Sequence, residues 1–102
     1  MLLHIVLLDP ADDAGLTRIK STMADLAAVA EKLPGLTRFD HGPNRDFEGK
    51  SQRYPYGFCC TFTDRAALEA YAADPDHQAA GAQLVASCKG GANGIFVADL
   101  EV

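Results

Sequence analysis

A chain of 102 residues with 48% apolar side chains makes one domain, residues 1–102, around one modest core. Its formal net charge is −5 and it has no cluster of Lys or Arg, which argues against nucleic acid or anionic membrane as a partner. The apolar start, Met1–Leu8, is too short to span a bilayer and lacks a basic leader, so a cytoplasmic location is expected.

Residues 2–8 read as the first strand. Leu2, His4, Val6 and Leu8 share one face, and Leu3, Ile5 and Leu7 share the other. Both faces are apolar, so both need cover. Helices can supply one layer; a chain this short has little left for the second, which points to a partner subunit. Residues 9–13 form a turn and a helix start, followed by an apolar stripe of Leu16, Ile19, Met23, Leu26, Ala30 and Leu33 at helical spacing. Pro34-Gly35 ends that helix.

Residues 36–42 read as an edge strand, with Thr37, Phe39 and His41 on one face and Leu36, Arg38 and Asp40 on a more polar one. The polar stretch Pro43–Arg53 is long for a hairpin and suits a flap or a subunit contact. Residues 54–63 read as the third strand, with Tyr54, Tyr56, Phe58, Cys60 and Phe62 on one face. Thr63 or Asp64 caps a helix carrying Ala67, Leu68 and Tyr71 inward.

Pro75 cannot continue that helix but suits the first position of another, with Asp74 as its cap. His77 then falls at the third position, close in sequence to Tyr71, and on the inward stripe His77, Gly81, Leu84, Cys88. Lys89-Gly90-Gly91 stops the helix near Cys88, and residues 94–101 make the fourth strand. The order is β-α-β-β-α(α)-β, an α+β, ferredoxin-like arrangement with a four-stranded antiparallel sheet and helices on one face. Its bare face is most simply covered by a twin subunit.

These residues, in this order, resemble the stress-responsive A/B barrel domain (Dabb) family of the dimeric α+β barrel superfamily. The carriers are Leu3-His4-Ile5-Val6-Leu7, Leu33-Pro34-Gly35, Gly42, Thr61-Phe62-Thr63-Asp64, Ala67-Leu68 with Tyr71, Pro75-Asp76-His77-Gln78 and Ile95-Phe96-Val97-Ala98-Asp99. The resemblance implies a homodimeric α/β barrel closed through the open sheet face. Among similar proteins are polyketide cyclases of plants, in which a Tyr, a junction His and a first-strand His line a cavity between sheet and helices. Tyr71, His77 and His4 match those three by position. Asp74 stands where the family usually has His, and Tyr56 where such a cyclase has a further pocket His.

The candidate catalytic set is therefore His77, Tyr71 and His4. A neutral imidazole beside a phenol can move a proton alpha to a carbonyl, with His4 orienting or donating. The same residues can instead brace the helix junction and the core. Tyr56, Phe58, Met23, Leu26, Val6 and Leu8 are the candidate wall of a cavity for a small apolar or aromatic molecule, or simply core. His41 reads as a surface or interface residue. Cys59, Cys60 and Cys88 read as reduced thiols. No spacing of His, Cys or carboxylates suggests a metal, and no cofactor is expected. Three functions follow: a cofactor-free lyase or cyclase, a non-catalytic stress-associated ligand-binding dimer, or a cofactor-independent monooxygenase.

Overall fold

The computed structural model describes Met1–Val102. Its elements are β1 (Leu2–Leu8), α1 (Asp13–Lys32), β2 (Leu36–Pro43), β3 (Tyr56–Phe62), α2 (Arg65–Ala73), α3 (Pro75–Ser87) and β4 (Ile95–Glu101), with a single 3₁₀ turn at Gly91–Gly94. The four strands form one antiparallel sheet in the order β2-β3-β1-β4, with the helices on one face. This is the α+β, ferredoxin-like arrangement expected from the element order. No helix is long and apolar enough to cross a membrane.

Each helix start is written locally. Asp12 caps α1 by accepting from the Gly15 N–H at 2.6 Å, and Asp64 caps α2 by accepting from Ala67 at 2.9 Å. Along α1, Ile19, Met23, Leu26 and Val29 are buried against the sheet at 1% exposure or less, which sets the core between α1 and the inward face of β1 and β3. Fully burying a side chain of that size stabilises by about 1.5–3 kcal/mol, so this stripe fixes the helix to the sheet. Gly15 lets α1 pass close to the end of α3: a Cβ there would lie 2.5 Å from the Ser87 carbonyl oxygen.

Two local expectations change. Leu36 lies on the core face with Phe39 and His41, not on the polar face. A bulge between Leu36 and Arg38 places Leu36 opposite Phe62 while Phe39 faces Cys60. β3 begins at Tyr56 and not at Tyr54, because the Tyr54 N–H closes a turn onto the Ser51 carbonyl at 2.9 Å. The loop before it is tied to itself. Asp46 Oδ1 accepts from the N–H groups of Lys50 and Ser51 at 2.8 and 3.0 Å, and the Asn44 amide donates to Ser51 Oγ and the Tyr54 carbonyl. β2 is an edge strand, as the weak alternation suggested.

On the face away from the helices, β1 presents Leu3, Ile5 and Leu7. β4 presents Phe96, Ala98 and Leu100 beside them, with Phe96 46% and Leu100 49% exposed.

Candidate functional site

β1 and β4 pair so that His4 and Asp99 face each other on the inward side of the sheet. His4 Nδ1 lies 2.6 Å from Asp99 Oδ1. A carboxylate only accepts, so Nδ1 carries a proton and Nε2 is the ring nitrogen left free to meet another group. Asp99 is not among the candidate site residues that the sequence marks. Its signal was there: once β1 and β4 are paired antiparallel, alternation puts His4 and Asp99 on one face and in register.

Tyr71 on α2 is 2% exposed. Its ring lies between three others: Phe62 at 5.2 Å between centroids, His4 edge-on at 6.0 Å, and His77 tilted 38° at 3.8 Å. The phenol does not meet the His77 ring through its hydroxyl. Its one partner is Cys60, whose Sγ–H donates to the Tyr71 oxygen at 3.9 Å. Burial pushes the Tyr71 phenol well above its ordinary value, and it pushes the Cys60 thiol up to about 12. Both groups keep their protons near neutrality.

His77 sits where the capping pattern placed it. Asp74 Oδ1 accepts from the Asp76 and His77 N–H groups at 2.9 and 3.0 Å, and Pro75 occupies the first turn. The His77 N–H bond, then Lys32 at 3.0 Å, hold the Asp74 carboxyl below the usual range. Lys32 also reaches Asp76 at 2.6 Å and so links α1 to the start of α3. The ring of His77 has a buried Nδ1 with no hydrogen-bond partner. Burial lowers the imidazolium below its ordinary value of 6.5, against the raising pull of the Ala72 carbonyl and Asp74. The lowered value favours the neutral ring at pH 7, and although the Ala72 carbonyl lies near the ring, Nδ1 has no well-aligned hydrogen-bond partner.

One side of this cluster is open. A Cβ on Gly81, one turn after His77, would meet no atom within 4 Å. Val97 lies on the helix-bearing face of β4, yet it is 49% exposed, and the Asp99 side chain is 45% exposed. The helices cover β1 and β3 and leave the inward face of β4 half bare.

Val6, Leu8, Met23, Leu26, Tyr56 and Phe58, the candidate cavity wall, all lie in the main core cluster at 8% exposure or less. Tyr56 is drawn toward the β2 edge, where its hydroxyl meets His41 Nδ1 at 2.7 Å. His41, exposed as expected, is joined there to Tyr56 and stands apart from His4, which lies on the β4 side. None of the five main surface hollows is lined by His4, Tyr71 or His77. The largest, about 660 Å³, surrounds the Asp9–Arg53 ion pair past the end of β1, five residues and roughly 17 Å of extended chain from His4. No three His, Cys, Asp or Glu side chains converge as a metal site would require.

Residues 2–102 match the family described as Stress responsive A/B Barrel Domain. A dimeric ferredoxin-like protein of unknown function from Jannaschia sp. CCS1 is 62% identical, with 99% of this chain and 98% of that one aligned at a TM-score of 0.96. Two more distant structures share the fold. A hydroxynitrile lyase from Passiflora edulis is 14% identical over 99% of this chain and 92% of that one, at a TM-score of 0.81. SnoaB, a cofactor-independent oxygenase from Streptomyces nogalater, is 17% identical over 99% of this chain and 91% of that one, at 0.76. No curated protein sequence is a recognisable match.

Proposed function

The chain belongs to the stress-responsive A/B barrel domain family, and on that premise we propose a homodimer, closed across the open sheet faces, that takes a small apolar or aromatic carbonyl compound beside His77. The observation that carries this reading is the buried, unpartnered Nδ1 of a neutral His77, one helical turn from Gly81, where a Cβ would meet no atom within 4 Å. A buried ring nitrogen without a partner is unfavourable unless something that donates to it, or gives it a proton, is bound there. Nδ1 of His77 is then the base that takes a proton alpha to the carbonyl, as a cofactor-free lyase or cyclase would need. His4, held by Asp99, offers Nε2 as a second polar contact. Tyr71 positions the His77 ring by stacking, while Val6, Leu8, Met23, Leu26, Tyr56 and Phe58 are packed core that supports the sheet and do not line this site.

A second reading is a ligand-binding dimer without turnover. It is favoured by one fact: the Tyr71 hydroxyl is turned to Cys60 and not to His77. NMR titration of the ¹⁵N-labelled imidazoles with a panel of small aromatic ketones and aldehydes tests both. Shifts at His77 and His4, with Gly81 and Val97 moving in step, support a site there. Turnover of any binder that His77→Ala abolishes without loss of fold then selects the enzyme. Perturbations confined to the hollow at Asp9 and Arg53, or none across the panel, would remove the site.

A further inference from the structure

One rung of the sheet carries a knob at one edge and a gap at the other. Across it lie Phe96 on β4, Leu7 on β1, Gly57 on β3 and Gly42 on β2, each paired with the next. All four face away from the helices. Phe96 is 46% exposed and is propped by the ring of Tyr54 at 6.0 Å between centroids. At the other end the two glycines leave a hollow of about 280 Å³, bordered by Leu7, Asp40, Pro43 and Cys59. The two glycines are bare for different reasons. A Cβ on Gly57 would lie 2.6 Å from the Val6 carbonyl oxygen, so its own protomer forbids a side chain. A Cβ on Gly42 would meet nothing within 4 Å, and its backbone is not in the left-handed region, so nothing within the protomer demands glycine.

We infer that the Gly42–Gly57 hollow is the socket for Phe96 of a second copy of this chain, so that each dimer contains the contact twice. This rests on the homodimer proposed above. Among the two-fold arrangements that close two sheets into one barrel, an axis parallel to the strands brings unlike edges together, and it is the one that sets a knob at one edge against a hollow at the other. That axis lays β4 of one protomer over β2 of the other and keeps the position along the strand, so the rung meets itself reversed and Phe96 arrives over Gly42. The 62% identical relative is described as a dimer, and the apolar side chains around the knob match a second copy better than a charged partner.

The test is Gly42→Leu, with Gly42→Thr as a smaller, strand-compatible filler, in the full chain by sedimentation equilibrium. Either variant keeps the protomer fold by circular dichroism and raises the dimer dissociation constant by about tenfold or more, the range of an overpacked contact. Phe96→Ala alone also weakens the dimer, and adding it to Gly42→Leu recovers most of the affinity, because the knob that collides has been removed. A wild-type dimer that Gly42→Leu and Gly42→Thr leave unchanged would overturn the socket and spare the dimer. Weakening that Phe96→Ala fails to relieve would overturn it equally, since Gly42 would then face some other group. A wild-type chain that stays monomeric at every concentration would overturn the homodimer itself.

Discussion

Tyr71 separates ring from hydroxyl, and the structure sets the size of each. The hydroxyl has one partner, a thiol at the long distance of 3.9 Å. A neutral hydrogen bond is worth about 0.5–1.5 kcal/mol net, and a long one to sulfur belongs at the bottom of that range. Deleting the hydroxyl also deletes its own desolvation, so Tyr71→Phe should change stability by less than about 1 kcal/mol. That is at most about 4–8 °C in the midpoint of a domain of this size. The ring is another matter, because it is 2% exposed and meets Phe62, His4 and His77. Truncation of a buried aromatic costs about 3–5 kcal/mol, so Tyr71→Ala should melt well over 12 °C lower at that rate or fail to fold. Thermal and urea melts of the three proteins measure both numbers. A loss of 3 kcal/mol or more in Tyr71→Phe, on the scale of a buried-ring truncation, would refute the reasoning, because the hydroxyl would then hold a partner other than Cys60.

The remaining expectations follow from the same contacts. The His77 imidazolium is disfavoured in the fold, so the unfolded chain takes up a proton first as pH falls; its contribution is complete above about 6.5 and is lost as pH drops toward the lowered folded value. Melting curves from pH 7.5 to 5 should therefore fall more steeply for wild type than for His77→Phe, and parallel curves would contradict the assignment. Asp99→Asn leaves a neutral amide facing His4 Nδ1; the ¹⁵N shifts of His4 should report a changed tautomer balance, with a stability change of about 1 kcal/mol or less for so exposed a carboxylate. An unaltered tautomer would mean that Asp99 does not orient the ring. Gly15→Ala ought to stabilise by helix propensity, yet its Cβ would meet the Ser87 carbonyl oxygen at 2.5 Å. A loss of about 1–3 kcal/mol in urea unfolding is expected, and a gain would show that α1 and α3 are not so close.

Much of the architecture was legible in the sequence because its signals are local. A proline fits only the first turn of a helix, an aspartate before it supplies acceptors to free N–H groups, and apolar side chains at three- and four-residue steps must face one way. Asp74, Pro75 and the stripe through Ile19, Met23 and Leu26 settled α3 and α1 without reference to the rest of the chain. The misplacement of Leu36 came from the same reliance on regular alternation, which a one-residue bulge reverses. What needed the folded chain was everything set by groups distant in sequence. His4 and Asp99 meet only because β1 and β4 pair in one register. Tyr71 turns its hydroxyl to Cys60 because α2 lies over β3, and that same packing leaves His77 Nδ1 without a partner. Periodicity assigns a side chain to a face; the neighbour it finds there depends on strand order and helix position, which arise when the whole core closes at once.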